Sequence, residues 1–159
     1  MIQILKENLS RQTKALMLLG ALLEEEFSRL TSLNPQGVSQ LELTIQELLR
    51  QIAGERTSLV ALIGRIKPGV RRVRGVRDEF SSEQWGEVEE LLQRLDAMEQ
   101  KSAIQAAKNQ RLALGLYDQS SSLLKHMHQQ LQPKRNDAYG ANGRFVKPAS
   151  QPNLISGRL

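Results

Sequence analysis

The 159-residue chain contains no cysteine. Disulfides, thiolate metal sites and cysteine nucleophiles are therefore excluded, and a reducing, cytoplasmic setting is the natural expectation. Aromatic residues make up only 4% of the chain and there are five prolines, whereas leucine, glutamine, glutamate and arginine are plentiful. That composition suits long helices packed side by side rather than a mixed α/β enzyme. Long apolar runs are missing as well. The longest spans Ala15 to Leu23, too short for a bilayer that needs about 20 residues, so no membrane insertion is expected. Arg11 and Lys14 precede the run as they would in a signal peptide. But Glu24, Glu25 and Glu26 follow at once without a small-x-small cleavage site, and the run reads as a buried helix face.

Catalytic constellations are absent too. His126 and His128 are two residues apart and do not share a helix face. Gly69 and Gly75 flank arginines without forming a phosphate-binding loop. The sequence predicts no catalytic residue, no metal site and no cofactor; the chain is expected to act by binding and not as an enzyme.

What is present is helical periodicity. Apolar positions run Ile2, Leu5, Leu9, Leu16, Leu19, Leu23 and Leu30, with Gln12 and Glu26 as polar members of the same seam. A second seam comprises Leu41, Ile45, Leu48, Ile52, Leu59, Leu62 and Ile66, interrupted by Glu55. Between them Asn34-Pro35-Gln36-Gly37 reads as a turn, and Lys67-Pro68-Gly69 stops the second helix. A third pattern begins at a capping box, Ser81-Ser82-Glu83-Gln84. It carries Trp85, Val88, Leu91, Leu92, Leu95 and Met98, crosses a small and polar stretch, "SAIQAAKNQ" from Ser102, and continues to Leu131. The expectation is an all-α, three-helix antiparallel bundle or coiled coil. Its helices are placed at about 2–32, 39–67 and 82–131, forming a domain over 1–132 with a flexible C-terminal tail over 133–159.

Helices of about 30 residues span roughly 45 Å and one of about 50 roughly 75 Å. In such a bundle the end of the third helix has no partner within the chain. There Leu112, Leu116, Leu123, Met127 and Leu131, with Asn109, Ala113, Ser120 and Leu124, fall within an arc of about 140°. An uncovered apolar face of this kind self-associates, folds back, or receives an amphipathic helix from another protein.

Net charge is +5, from 22 basic and 17 acidic residues, and it is localised. Residues 65–77 hold six basic and no acidic side chains, and residues 133–159 hold five and one. Arg65, Lys67, Arg71, Arg72, Arg74 and Arg77 offer phosphate contacts, but no aromatic side chains interleave with them for base stacking, and no nucleic-acid partner is expected. Beyond the last helix lies "NDAYGANGRF", in which Tyr139 has almost no apolar neighbours to bury it.

Taken in order, three heptad-patterned helices, the segment "NQRLALGLYDQSSSLLKHM" from Asn109 to Met127, and the element "YGANG" from Tyr139 to Gly143 resemble the FlgN family of bacterial flagellar type III export chaperones. The resemblance implies binding of the C-terminal helical segments of the hook-filament junction proteins FlgK and FlgL, and docking at the export gate protein FlhA. It places client binding on Asn109, Leu112, Leu116, Leu123 and Met127, and gate docking on Tyr139, Gly140 and Gly143. The basic connector and the extension "RFVKPASQPNLISGRL" fall outside the family pattern. The reading from the residues alone keeps an alternative open: a structural coiled-coil protein that self-associates through its third helix.

Overall fold

The computed structural model describes residues 1–131. These divide into two compact units, Met1–Gln119 and a second that begins at Ser120, and each is described by itself. The fold is all-α. Among the described residues there are three long helices, α1 (Ile2–Thr31), α2 (Pro35–Ile66) and α3 (Ser82–Leu131), with a short 3-10 segment, Val73–Glu79, before α3.

The two seams read from the sequence form the core. Leu5, Leu9, Leu16, Leu19 and Leu23 of α1 are buried against Leu41, Ile45, Leu48, Ile52, Leu59 and Leu62 of α2, and Trp85, Val88, Leu92 and Leu95 of α3 join the same cluster. The polar members of the seams also meet. Gln12, only 1% exposed, donates to Asn8 Oδ1 at 2.7 Å. Asn8 in turn donates to the Glu55 carboxylate at 2.6 Å and to its main-chain carbonyl at 3.1 Å. Arg11 closes the network with a two-pronged contact to Glu55 at 2.9 and 3.1 Å, which pushes the guanidinium pKa further up. A buried polar network of this kind restricts the register at which α1 and α2 can pair. Contacts between Asn8 and Glu55 at one end, and between Arg29 and Gly37 at the other, show that α1 and α2 run antiparallel. Between α1 and α3 the pairs ascend together: Lys6 with Glu87, Leu16 with Ser102, Leu23 with Asn109. These two helices run the same way.

The reversal from α1 to α2 differs from the expected turn. α2 starts at Pro35, four residues before the expected position. Pro35 occupies the first helical position, where its fixed φ suits a helix and its missing N–H is no loss. Asn34 caps the helix by accepting from the Gly37 amide at 2.9 Å. Upstream, the Asn34 amide donates to Arg29 O and the Leu33 amide to Leu30 O, the paired bonds of a Schellman motif. Leu33 holds the left-handed position of that motif with φ 54°, a place usually taken by glycine.

The connector also differs from the sequence expectation, which assigned it no structure. Its 3-10 segment inserts Val76, fully buried, into the core. Arg74 pairs with Glu89 at 3.2 Å and Asp96 at 3.5 Å, and Lys67 lies 3.7 Å from Glu79. The capping box forms as read: the Gln84 amide donates to Ser81 Oγ and the Ser81 amide to Gln84 Oε1, both at 3.3 Å.

Candidate binding surface on the third helix

α3 changes character after Leu95, the last of its buried apolar residues. Leu91 and Met98 pack only partly against the core. Further along, the buried positions are polar: Ser102 and Asn109. Ser102 Oγ donates to Leu16 O at 3.5 Å, and Asn109 Nδ2 to Leu23 O at 2.8 Å and to Glu26 at 2.6 Å. Gln105 supports Asn109 from one turn earlier, donating to its Oδ1 at 3.0 Å. Small polar side chains thus fasten this part of α3 to main-chain carbonyls of α1, where leucines serve elsewhere.

The site residues read from the sequence separate accordingly. Asn109 is buried and committed to α1, so its amide is engaged inside the fold and not displayed. Leu112 and Leu116 are half-buried. In the second unit, considered alone, Leu123 is 59% exposed, Met127 49% and Leu131 76%, with Leu124 also exposed. Tyr139, Gly140 and Gly143 lie outside the described residues. α3 is helical through Gly115, so glycine does not split the face there.

Sequence reasoning passed over Ile104, Leu114 and Tyr117, all exposed. Leu114 and Tyr117, three residues apart, share a helix face beside the expected stripe.

Among the described residues no group of three or more His, Cys, Asp or Glu side chains is placed to hold a metal ion. His126 shares a 3.1 Å contact with Gln130. No described helix is long and apolar enough to cross a membrane. In the connector, Arg65, Arg71, Arg72 and Arg77 are exposed.

In comparison with known proteins, the family model for FlgN protein matches residues 1–146. No curated protein and no solved structure matches the chain.

Proposed function

The chain belongs to the FlgN family, and from that premise we propose that it is a cytoplasmic flagellar export chaperone. In this reading its three helices act as one antiparallel bundle that works by binding and not by catalysis. The clients are the C-terminal helical segments of FlgK and FlgL, kept from premature assembly and delivered to FlhA at the export gate.

The observation that supports the reading best is the exposed row Leu123, Leu124, Met127 and Leu131 at the end of α3. Four large apolar side chains on a polar helix have no use in water. Their burial against a client's apolar stripe is worth about 25 cal/mol per Å² removed from solvent. Tyr139 belongs to the same reading as the gate anchor, because a tyrosine brings a broad apolar face and a hydroxyl at low entropic cost.

The test is a pull-down of FlgK and of FlgK lacking its C-terminal segment, with sedimentation of the free protein alongside. A monomer that captures only full-length FlgK, and loses it on Leu116→Asp or Leu123→Asp while staying helical, supports the reading. Capture unchanged by both substitutions moves the client site elsewhere. A concentration-dependent dimer that ignores FlgK assigns the row to self-association. Tyr139→Ala should leave capture intact and abolish association with FlhA.

A further inference from the structure

The connector between α2 and α3 lies at one end of the unit Met1–Gln119. α1 and α3 run the same way and α2 runs against them, so Met1, Ile66 and Ser82 come to that end together. The turn at Leu33 is at the other end, about 50 Å away along the 32 residues of α2. The connector is a built loop. Val76 is fully buried, and Val70, Val73 and Phe80 pack partly against the core. The Val70 amide donates to Lys67 O at 3.2 Å and the Gly75 amide to Arg72 O at 3.0 Å. Gly69 takes φ 85°, and a Cβ at Gly75 would come within 2.6 Å of Val70 Cγ1. The valines thus fix the backbone that carries the arginines.

Residues 65–77 hold six basic side chains and no acidic one. Two of the six are engaged inside the fold: Arg74 with Glu89 and Asp96, and Lys67 with Glu79 at 3.7 Å and Asp78 at 4.0 Å. Arg65, Arg71, Arg72 and Arg77 are exposed, and among the described residues no carboxylate lies within 4 Å of any of them. Glu83, exposed and also without a basic partner among the described residues, lies in the first turn of α3, where the helix dipole favours its charge. What the patch lacks narrows its partner. No large apolar side chain is exposed between Val60 and Ile104, so the patch has no anchor of the kind that holds a protein interface. The hollows along the helices are lined by residues outside 65–79, so an acidic peptide has no groove to lie in. Phe80 is half-buried in the core, which leaves no ring for base stacking.

We propose that this end of the bundle binds the surface of an anionic lipid bilayer, with Arg65, Arg71, Arg72 and Arg77 meeting headgroup phosphates and no side chain entering the hydrocarbon. Four unpaired cations on one short segment reach the number at which basic clusters hold to negatively charged leaflets, and each guanidinium can meet two phosphate oxygens at once. A blunt tip of fixed backbone suits a flat surface that carries its charge everywhere and needs no pocket. End-on contact also keeps the far end of the unit, where Leu116 lies beside the α1–α2 turn, clear of the bilayer. The proposal uses none of the residues assigned to client or gate binding and goes beyond that reading.

The test is co-sedimentation of the full chain with vesicles of phosphatidylcholine alone or with about 30% phosphatidylglycerol. The chain should pellet with the anionic vesicles, stay in solution with the neutral ones, and be released as salt rises from about 50 to about 300 mM. Arg71→Glu with Arg72→Glu should weaken binding by about tenfold or more while helix content is retained. Arg65→Gln with Arg77→Gln repeats the measurement should the first pair disturb the fold. The control is Arg50→Glu with Arg94→Glu, which makes the same change in net charge at exposed sites along the helices and should weaken binding far less. No binding to anionic vesicles, equal binding to neutral ones, or equal loss in the control overturns the proposal. So does undiminished binding in both connector variants, which would assign the contact to the basic segment 133–159. A duplex oligonucleotide bound through Arg71 and Arg72 by a chain that ignores vesicles would assign the patch to nucleic acid and overturn it as well. FlgK capture should be unchanged by the connector substitutions, so the failure of either reading is seen separately from that of the other.

Discussion

The side-chain amide of Asn109 donates to the main-chain carbonyl of Leu23 at 2.8 Å, from the buried side of α3. A helix carbonyl already serves its own i+4 amide, so this bond uses its second lone pair and ties two helices without apolar contact. Replacing Asn109 by alanine removes that bond and the one to Glu26. We expect Asn109→Ala to lower stability by about 1–2 kcal/mol in urea unfolding, with helix content retained. An unchanged midpoint would mean that Ser102 and the upstream core already hold α3 in place.

The Asn8–Gln12–Glu55 network makes a different prediction. Glu55→Ala removes the carboxylate that accepts from Asn8 and Arg11 and leaves Asn8 only the main-chain carbonyl of that residue, and should cost about 1 kcal/mol. Replacing all three buried members together, Asn8→Leu, Gln12→Leu and Glu55→Leu, leaves no orphaned amide and should recover that loss or exceed the original stability. The triply substituted chain should also pair α1 with α2 less uniquely, seen as broadened amide resonances. A triple variant as unstable as Glu55→Ala alone would refute the account.

Leu33 sits at φ 54° in the Schellman position between α1 and α2 and is largely exposed. The left-handed conformation costs an L-residue about 1–2 kcal/mol, part of which glycine gives back through a more flexible unfolded chain. Leu33→Gly should raise the thermal midpoint; a lower midpoint would show that the leucine side chain holds the turn.

Gly54 and Gly64 interrupt α2, and nothing lies within 4 Å of a Cβ built on either. No close approach demands glycine at either position. Gly54→Ala and Gly64→Ala should each stabilise the protein by about 1 kcal/mol, read from denaturant midpoints. The same change at Gly37 should destabilise, because its Cβ would come within 2.7 Å of the side-chain nitrogen Nδ2 of Asn34 and 2.8 Å of Arg29 Cδ.

The sequence by itself determined the seams, the all-α class and the capping box. Each is a local or periodic signal: Leu5, Leu9 and Leu16 declare a buried stripe by spacing alone, and Ser81 and Gln84 satisfy each other within one turn. The exclusion of cysteine chemistry was legible at once, since a residue type missing from a chain is missing everywhere. The tertiary structure decided the rest. Pro35 looked like a breaker and is a helix start, because whether proline opens or ends a helix depends on which side the capped turn lies. Val76 looked like part of a charged connector and is core, because its burial is settled by what the 3-10 segment meets. Asn109 lay on an apolar stripe and reads there as a display residue; it is buried because α1 presents a free carbonyl lone pair at Leu23. The small stretch from Ser102 to Gln110 was visible as a change of composition, but its consequence was not. Small side chains there let Ser102 and Asn109 reach main-chain carbonyls of α1, and which carbonyls lie within reach is settled only by how the two helices pack.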